Sequence, residues 1–125
     1  MTDTTRIILL AHGSSDQKWC QTFEKLAAPT LEAVPQSVVA YMELSSPSLE
    51  QVIIKSVEEG FQHFVVLPLF LAAGRHLRKD VPAMIASLEE KYGTTISLAP
   101  PIGENPHLGQ AIRSVVKDTL EASYG

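Results

Sequence analysis

The stretch "FVVLPLFLAAGRHLRKDVPAMI", residues 64–85, decides the fold. It opens with the apolar run "FVVLPLF", which is typical of a strand buried on both faces of a parallel sheet. It closes on Val81, Met84 and Ile85, whose spacing predicts an amphipathic helix. Between these segments, the small residues "AAG" lead into a cluster of charged residues around His76. A strand, a short loop and a helix in this order form one βα unit of an α/β protein.

Three more segments repeat this pattern. The apolar runs 6–11, 37–43 and 95–100 predict strands, and a helical pattern follows each of them. Short connections between strand and helix favour a parallel sheet with a helix after every strand. The sequence therefore predicts an α/β fold: a single three-layer domain over residues 1–125, with a four-stranded parallel sheet and helices on both faces. The apolar residues expected on one face of the last helix are Leu108, Ile112, Val115, Val116 and Leu120.

Residues that favour helix ends accompany these patterns. Ser14 with Gln17 has the spacing of a capping box. A proline inside a helical pattern ends or kinks the helix, so we expect Pro29 to do so. The other predicted helix starts are at Ser46 and Asn105, each before a proline, and the predicted helix ends are at Gly60 and Gly93.

Composition excludes several classes of function. The chain of 125 residues fits one domain, and its net charge of −4 without a basic run argues against nucleic-acid binding. The single cysteine, Cys20, excludes an intrachain disulfide and a cysteine-based metal cluster. The acidic start does not resemble a signal peptide, and no segment is long enough to cross a membrane. We therefore expect a cytoplasmic protein that binds no membrane.

Polar side chains follow three of the predicted strands. His12 comes after the first strand, Glu43 ends the second, and His76 follows the third on a predicted loop. Parallel strands end at the same edge of a sheet, where ligands bind in α/β proteins. Two imidazoles and a carboxylate suit a borderline divalent metal and can also accept protons.

Other interpretations remain open from the residues alone. Each of the three side chains is also compatible with an ordinary hydrogen-bonded or solvated residue. The segment "HGSS" could bind a phosphate at a helix N-terminus, but it matches neither a Walker loop nor GxGxxG. Ser14 as a nucleophile would need a GxSxG elbow, which the sequence lacks. A metal carrier or a flavodoxin-like cofactor-binding protein without catalysis would also fit.

Four motifs resemble one known family. "LLAHGSS", "ELSSPSLEQVI", "PLFLAAGRHLRKDVP" and "PPIGENPHL" are similar to the small form of the class II tetrapyrrole chelatases, the CbiX/SirB family. The resemblance covers nearly the whole chain, although Ser15 stands where the family commonly has an arginine. It implies that His12, Glu43 and His76 handle the metal and accept protons. Longer relatives carry two such halves in one chain, so the resemblance implies a homodimer of this half-domain.

The resemblance also implies a substrate. We expect a sirohydrochlorin chelatase that inserts Co²⁺ for cobalamin biosynthesis, with Fe²⁺ for sirohaem or Ni²⁺ as alternatives and no organic cofactor. The non-enzymatic alternative is a carrier of divalent metals. The residues expected to contact the macrocycle are Ser14, Arg75, Arg78, Leu71 and Leu77.

Overall fold

The computed structural model describes residues 4–72 and 74–124, apart from the side chains of His76, Ser123 and Tyr124. Strands and helices alternate along this part of the chain, as the sequence predicts. The elements are β1 (Thr5–Ala11), α1 (Gln17–Ala33), β2 (Ser37–Tyr41), α2 (Leu49–Glu58), β3 (His63–Pro68), α3 (Arg75–Tyr92), β4 (Thr95–Leu98), a 3₁₀ helix (Ile102–Glu104) and α4 (Pro106–Tyr124).

The four strands form one parallel sheet in the order β2-β1-β3-β4. The chain leaves β1 toward β2 on one side and leaves β3 toward β4 on the other. The direction of the connections therefore reverses between β1 and β3. In open α/β sheets, such a reversal opens a crevice at the carboxyl ends of the two strands.

Helices cover both faces of the sheet, as predicted. Because successive residues of a strand point to opposite faces, Leu10 and Ala11 lie in different cores. Leu10 belongs to the main core, which β1–β4 form with α2 and α3. Ala11 packs with Tyr41 and with Phe23 of α1 in a smaller core on the other face.

Two predicted helix starts are wrong. The N-cap of α1 is Asp16, whose Oδ1 accepts from the Lys18 N–H, and not Ser14. The N-cap of α2 is Ser48, which forms a capping box with Gln51. Ser46 cannot start that helix, because the Pro47 carbonyl still accepts from the Tyr41 N–H at 2.9 Å.

The remaining caps agree with prediction more closely. The Asn105 side chain accepts from the His107 N–H at the start of α4. Gly93 ends α3 with φ 63°, and Gly60 follows the end of α2 with φ 101°. Pro29 does not end α1, which continues to Ala33. Pro29 is exposed, so water can reach the carbonyl that loses its helical partner.

The structure also corrects the position of His76. It lies in the first turn of α3, which begins at Arg75, and not on a loop. The apolar face of α3 begins only at Leu77 and Val81. The turn before that face is polar, and the sequence pattern therefore predicts a loop where the helix has already begun.

The last helix is confirmed as a helix, but it is not a third layer of this chain. Every residue from Gly109 to Ala122 is exposed. Its principal neighbour in the described chain is the 3₁₀ helix. None of the described helices is both long and apolar enough to span a membrane.

Candidate active site

His12 lies at the carboxyl end of β1, at the crevice between β1 and β3. Its side chain is exposed, and its ring centroid lies 4.1 Å from that of Phe70, with the rings tilted by 36°. Phe70 is only 4% exposed and follows the end of β3. A buried aromatic ring thus supports one side of the imidazole and leaves the remainder open to a ligand.

Backbone hydrogen bonds bring Glu43 beside His12. The N–H groups of Met42 and Glu43 donate to the carbonyls of Ala11 and His12, at 2.9 and 3.1 Å. These bonds extend the pairing of β1 and β2 past the ends of both strands. Gly13 has φ 93°, and a Cβ there would overlap the Glu43 carbonyl oxygen. The two loops therefore approach backbone to backbone, and only glycine fits between them.

The loops after β1 and β2 are joined at a second point by side chains that the sequence did not indicate. The Ser14 N–H donates to Ser45 Oγ at 3.0 Å, and Ser45 Oγ–H donates to the Ser14 carbonyl at 2.8 Å. Cys20 Sγ lies 3.3 Å from the same Ser45 Oγ. Ser14 Oγ accepts from the Asp16 N–H. The predicted substrate contact Ser14 thus shapes the loop that carries His12, and Ser45 is a structural residue that sequence reasoning missed.

Tyr41 lies under these loops and stays protonated. Burial, followed by the nearby Glu24 and Cys20, raises the pKa of Tyr41 to about 12. Its hydroxyl donates to Glu24 Oε1 at 3.4 Å. A group with so high a pKa is not a proton acceptor near neutral pH.

His76, the third predicted metal ligand, lies in the first turn of α3. Because α3 begins a few residues after β3, the backbone of His76 lies near the carboxyl edge that also carries His12 and Glu43. The side chain of His76 is outside the described part of the structure. Among the side chains that are described, no three histidine, cysteine or acidic residues form a metal-sized group. The ligand set of His12, Glu43 and His76 stays a prediction.

Exposed cations and apolar surface surround this edge. Arg75 and Arg78 are exposed in the first turn of α3, where the helix dipole also favours anions. A groove of about 470 Å³ is lined by Phe70, Leu77, Arg78 and Glu104, among others. The sequence had given no role to Glu104, which adds the acidic group of this groove.

The predicted apolar contacts divide into two kinds. Leu71 is 76% exposed, and Leu44, next to Glu43, is 71% exposed with φ 64°. Leu77 is half-buried and packs against the main core. Leucine is costly to expose and to hold at positive φ. Leu44 and Leu71 are therefore available to a flat apolar ligand, whereas Leu77 also serves the core.

Comparison with known proteins identifies the family. A family model described as CbiX matches residues 6–119. The chain belongs to the CbiX family. A crystal structure of a protein from Marinobacter aquaeolei VT8, assigned as a CbiX protein of cobalamin (vitamin B12) biosynthesis, is 61% identical to it. That structure superposes with a TM-score of 0.93 over 95% of this chain and 99% of the other. The parallel α/β fold is thus common to both proteins.

Two curated relatives differ in length. Sirohydrochlorin cobaltochelatase of Sulfurisphaera tokodaii is 27% identical, with 94% of this chain and 95% of the relative covered. Sirohydrochlorin ferrochelatase of Bacillus subtilis is 30% identical, with 90% of this chain but only 44% of the relative covered. The chain therefore matches nearly the full length of the first and less than half of the second.

Proposed function

We propose that this protein inserts a divalent metal into sirohydrochlorin. The observation that carries the proposal is the exposed pair His12 and Glu43, held together by backbone bonds at the crevice where the sheet reverses direction. Sirohydrochlorin is the substrate in the names of the curated relatives. An imidazole and a carboxylate at an open edge suit a metal that must be taken up and released again.

Cobalt is our first choice of metal. The relative that this chain matches along nearly its whole length is a cobaltochelatase, whereas the ferrochelatase is more than twice as long. Histidine and carboxylate ligands do not by themselves identify the metal, because the order of affinity among Fe²⁺, Co²⁺ and Ni²⁺ is set mainly by the metal. Iron and nickel are therefore the alternatives to test.

The reaction exchanges one M²⁺ for two protons of the pyrrole nitrogens. In the proposed mechanism His12, Glu43 and His76 bind the incoming metal as substrate. As the metal moves to the macrocycle nitrogens, these same bases accept the two protons that leave. Neutral imidazole is required for both steps, and general bases of this kind contribute roughly 10²–10⁴-fold to a rate.

The surroundings of the pair suit the organic substrate. Sirohydrochlorin carries several carboxylates, and exposed Arg75 and Arg78 can bind them through charge-assisted hydrogen bonds. Leu71 and Leu44 offer apolar contact to the ring. One chain supplies one wall of such a cleft, so we propose that a second copy supplies the other in a homodimer, which we expect in the cytoplasm.

The direct test is turnover. Purified protein is mixed anaerobically with sirohydrochlorin and Co²⁺, Fe²⁺ or Ni²⁺, and the change in the macrocycle's absorption spectrum is followed. We expect His12→Ala to lower the rate by roughly 100-fold or more. The matched control is His63→Ala, because His63 is also an exposed histidine but lies at the amino end of β3.

The outcomes separate the alternatives. Equal losses in the two variants would remove His12 from the reaction. Binding of Co²⁺ to the wild type without any consumption of sirohydrochlorin would favour a metal carrier. Turnover that is fastest with Fe²⁺ or Ni²⁺ would support the proposed chelatase activity but show that cobalt is not the preferred metal.

A further inference from the structure

His12 and Glu43 occupy matching positions on the loops after β1 and β2, and each is flanked by hydrogen bonds on both sides. On the strand side, the Glu43 N–H donates to the His12 carbonyl at 3.1 Å. Two residues beyond His12 and Glu43, Ser14 and Ser45 bond to each other. We call these two bonds the Ser14–Ser45 pair. The short segments that follow His12 and Glu43 therefore run between two fixed points.

The Ser45 hydroxyl takes the place of a backbone group in this contact. Its oxygen accepts from the Ser14 N–H at 3.0 Å, and its proton is donated to the Ser14 carbonyl at 2.8 Å. A hydroxyl can do both at one atom, because it has one donor proton and two acceptor lone pairs. Cys20 Sγ of α1 lies 3.3 Å from the same oxygen and can donate to its second lone pair. Two loops and one helix are thus joined at a single atom.

The Ser14–Ser45 pair also holds Leu44 in a strained conformation. Leu44 has φ 64°, in the left-handed region that leucine rarely adopts, and its side chain is 71% exposed. Such a residue keeps this conformation only where the structure around it imposes it. Here the Glu43 N–H is bonded on one side of Leu44, and the Ser45 hydroxyl is bonded on the other. Without the Ser45 bonds, Leu44 is free to relax toward negative φ and to move the Glu43 carboxylate.

The opposite loop makes its turn without comparable strain. Gly13 lies between His12 and Ser14 with φ 93°, a value that glycine adopts readily. The His12 ring is also supported by the buried Phe70 ring, whose centroid lies 4.1 Å away. Loss of the Ser14–Ser45 pair should therefore displace Glu43 and leave His12 in place.

We propose that Ser45 is a positioning residue, whose hydroxyl fixes the separation of His12 and Glu43 that a bound metal requires. The proposal rests on the proposed function, in which these two side chains bind the incoming metal. Ser45 acts on the metal only through the loop that carries Glu43. Groups that orient metal ligands in this way typically contribute roughly 10- to 100-fold to metal affinity or activity.

Binding of Co²⁺ to the purified protein, measured by titration calorimetry, tests this role without sirohydrochlorin. Ser45→Ala removes the hydroxyl and should weaken Co²⁺ binding by roughly 10-fold or more. Ser45→Thr keeps a hydroxyl and should restore most of the affinity. The matched control is Ser46→Ala, because Ser46 is the next residue in the chain but is exposed and lies beyond the Ser14–Ser45 pair. Circular dichroism checks that each variant is folded.

A double-mutant cycle separates positioning from a general loss of structure. Ser45→Ala is combined with Glu43→Gln, which keeps the size of the side chain but removes its charge. If Ser45 acts through the Glu43 carboxylate, Ser45→Ala should change the Co²⁺ affinity by less than about twofold in the Glu43→Gln background. A weakening by the same factor in both backgrounds would show a merely structural role and overturn the proposal.

The same variants separate this proposal from the chelatase assignment. A wild type that shows the coupling but consumes no sirohydrochlorin would overturn the proposed function and leave the role of Ser45 intact. A Ser45→Ala protein that binds Co²⁺ as tightly as wild type and turns over sirohydrochlorin at the same rate would overturn the role of Ser45 and leave the chelatase assignment intact.

Discussion

Single glycines hold the loops of the candidate site together. At Gly13 and Gly103, the chain brings one backbone against another so closely that a Cβ would overlap a carbonyl oxygen. At Gly13 the overlapped carbonyl is that of Glu43, whose N–H also bonds to His12. The distance between the two proposed bases is therefore set by the absence of a side chain between them.

This contact predicts the effect of Gly13→Ala. The change should cost about 1–3 kcal/mol of stability, because alanine is strained at φ 93°. It should also move the Glu43 loop and lower metal insertion by roughly 100-fold, since catalysis is sensitive to displacements of about 1 Å. Thermal melting and the turnover assay measure the two effects.

Gly109→Ala is the control for this prediction. It lies in α4 with no atom near the position of an added Cβ, so alanine should stabilise the helix by up to about 1 kcal/mol. A Gly13→Ala protein that is as stable and active as wild type would show that the two loops adjust freely.

The sequence could predict which residues lie at the ligand-binding edge, but not what positions them. The positions of His12 and Glu43 follow from where the apolar runs end, since parallel strands share one carboxyl edge. The roles of these residues stay predictions. The pairing of Ser14 with Ser45 depends on how two loops meet across neighbouring strands. The relative position of these two loops arises from tertiary packing, so no local sequence pattern predicts it.

Helix starts show the same limit among the elements. "HGSSD" offers three successive residues that can cap a helix, and "SSPS" offers another three. The chain uses Asp16 and Ser48, because Ser14 and Pro47 bond instead to the loop after β2 and to β2 itself. Local propensity therefore predicts both α1 and α2, but it places the N-cap of each helix two residues too early.

One polar connection joins α2 to α3 and predicts a pH dependence. Glu50 accepts from Lys91 Nζ at 2.9 Å and from the Tyr92 hydroxyl at 2.7 Å. The hydrogen bond from Lys91, and then that from Tyr92, holds the pKa of Glu50 below its ordinary value of 4.5. The hydrogen bond to Glu50 likewise raises the pKa of Lys91 above 10.5 and that of Tyr92 above 10.0.

These shifts set the pH range in which the connection stabilises the fold. Because the pKa of Glu50 is lowered on folding, its carboxylate stabilises the fold at pH values above its unfolded pKa of about 4.5. This stabilisation is lost as the pH falls through the folded pKa. Because the pKa values of Lys91 and Tyr92 are raised on folding, the protonated forms of these two groups stabilise the fold below about pH 10. Their contribution to stability is lost at higher pH. Glu50→Gln should therefore lower the melting temperature slightly at pH 7, and the difference should shrink toward pH 3. A difference that is the same at both pH values would contradict this account.

At the scale of the whole molecule, the sequence predicts the apolar face of α4 but not the surface against which this face packs. The spacing of Leu108, Ile112, Val115, Val116 and Leu120 shows only that one face of the helix is apolar. It does not show whether the covering surface belongs to the same chain, because a pattern of period 3.6 carries no information about its partner. In the structure, Ile112, Val115, Val116 and Leu120 are more than half exposed, so the described part of the chain leaves this face largely uncovered.

If the homodimer proposed above covers the apolar face of α4, stability must depend on protein concentration. Folding and association are then one equilibrium, in which one dimer gives two unfolded chains. A hundredfold rise in concentration should add about 2.7 kcal/mol to the unfolding free energy of the dimer at 25 °C, and the melting temperature should rise by several degrees. Val116→Glu places a carboxylate on that apolar face and should melt at a lower temperature that does not change with concentration. Ser114→Glu, on the opposite face of α4, should follow the wild type. Calorimetry at two concentrations a hundredfold apart measures this. A wild-type melting temperature that is constant across them would mean that each chain completes its fold alone and that α4 needs no partner.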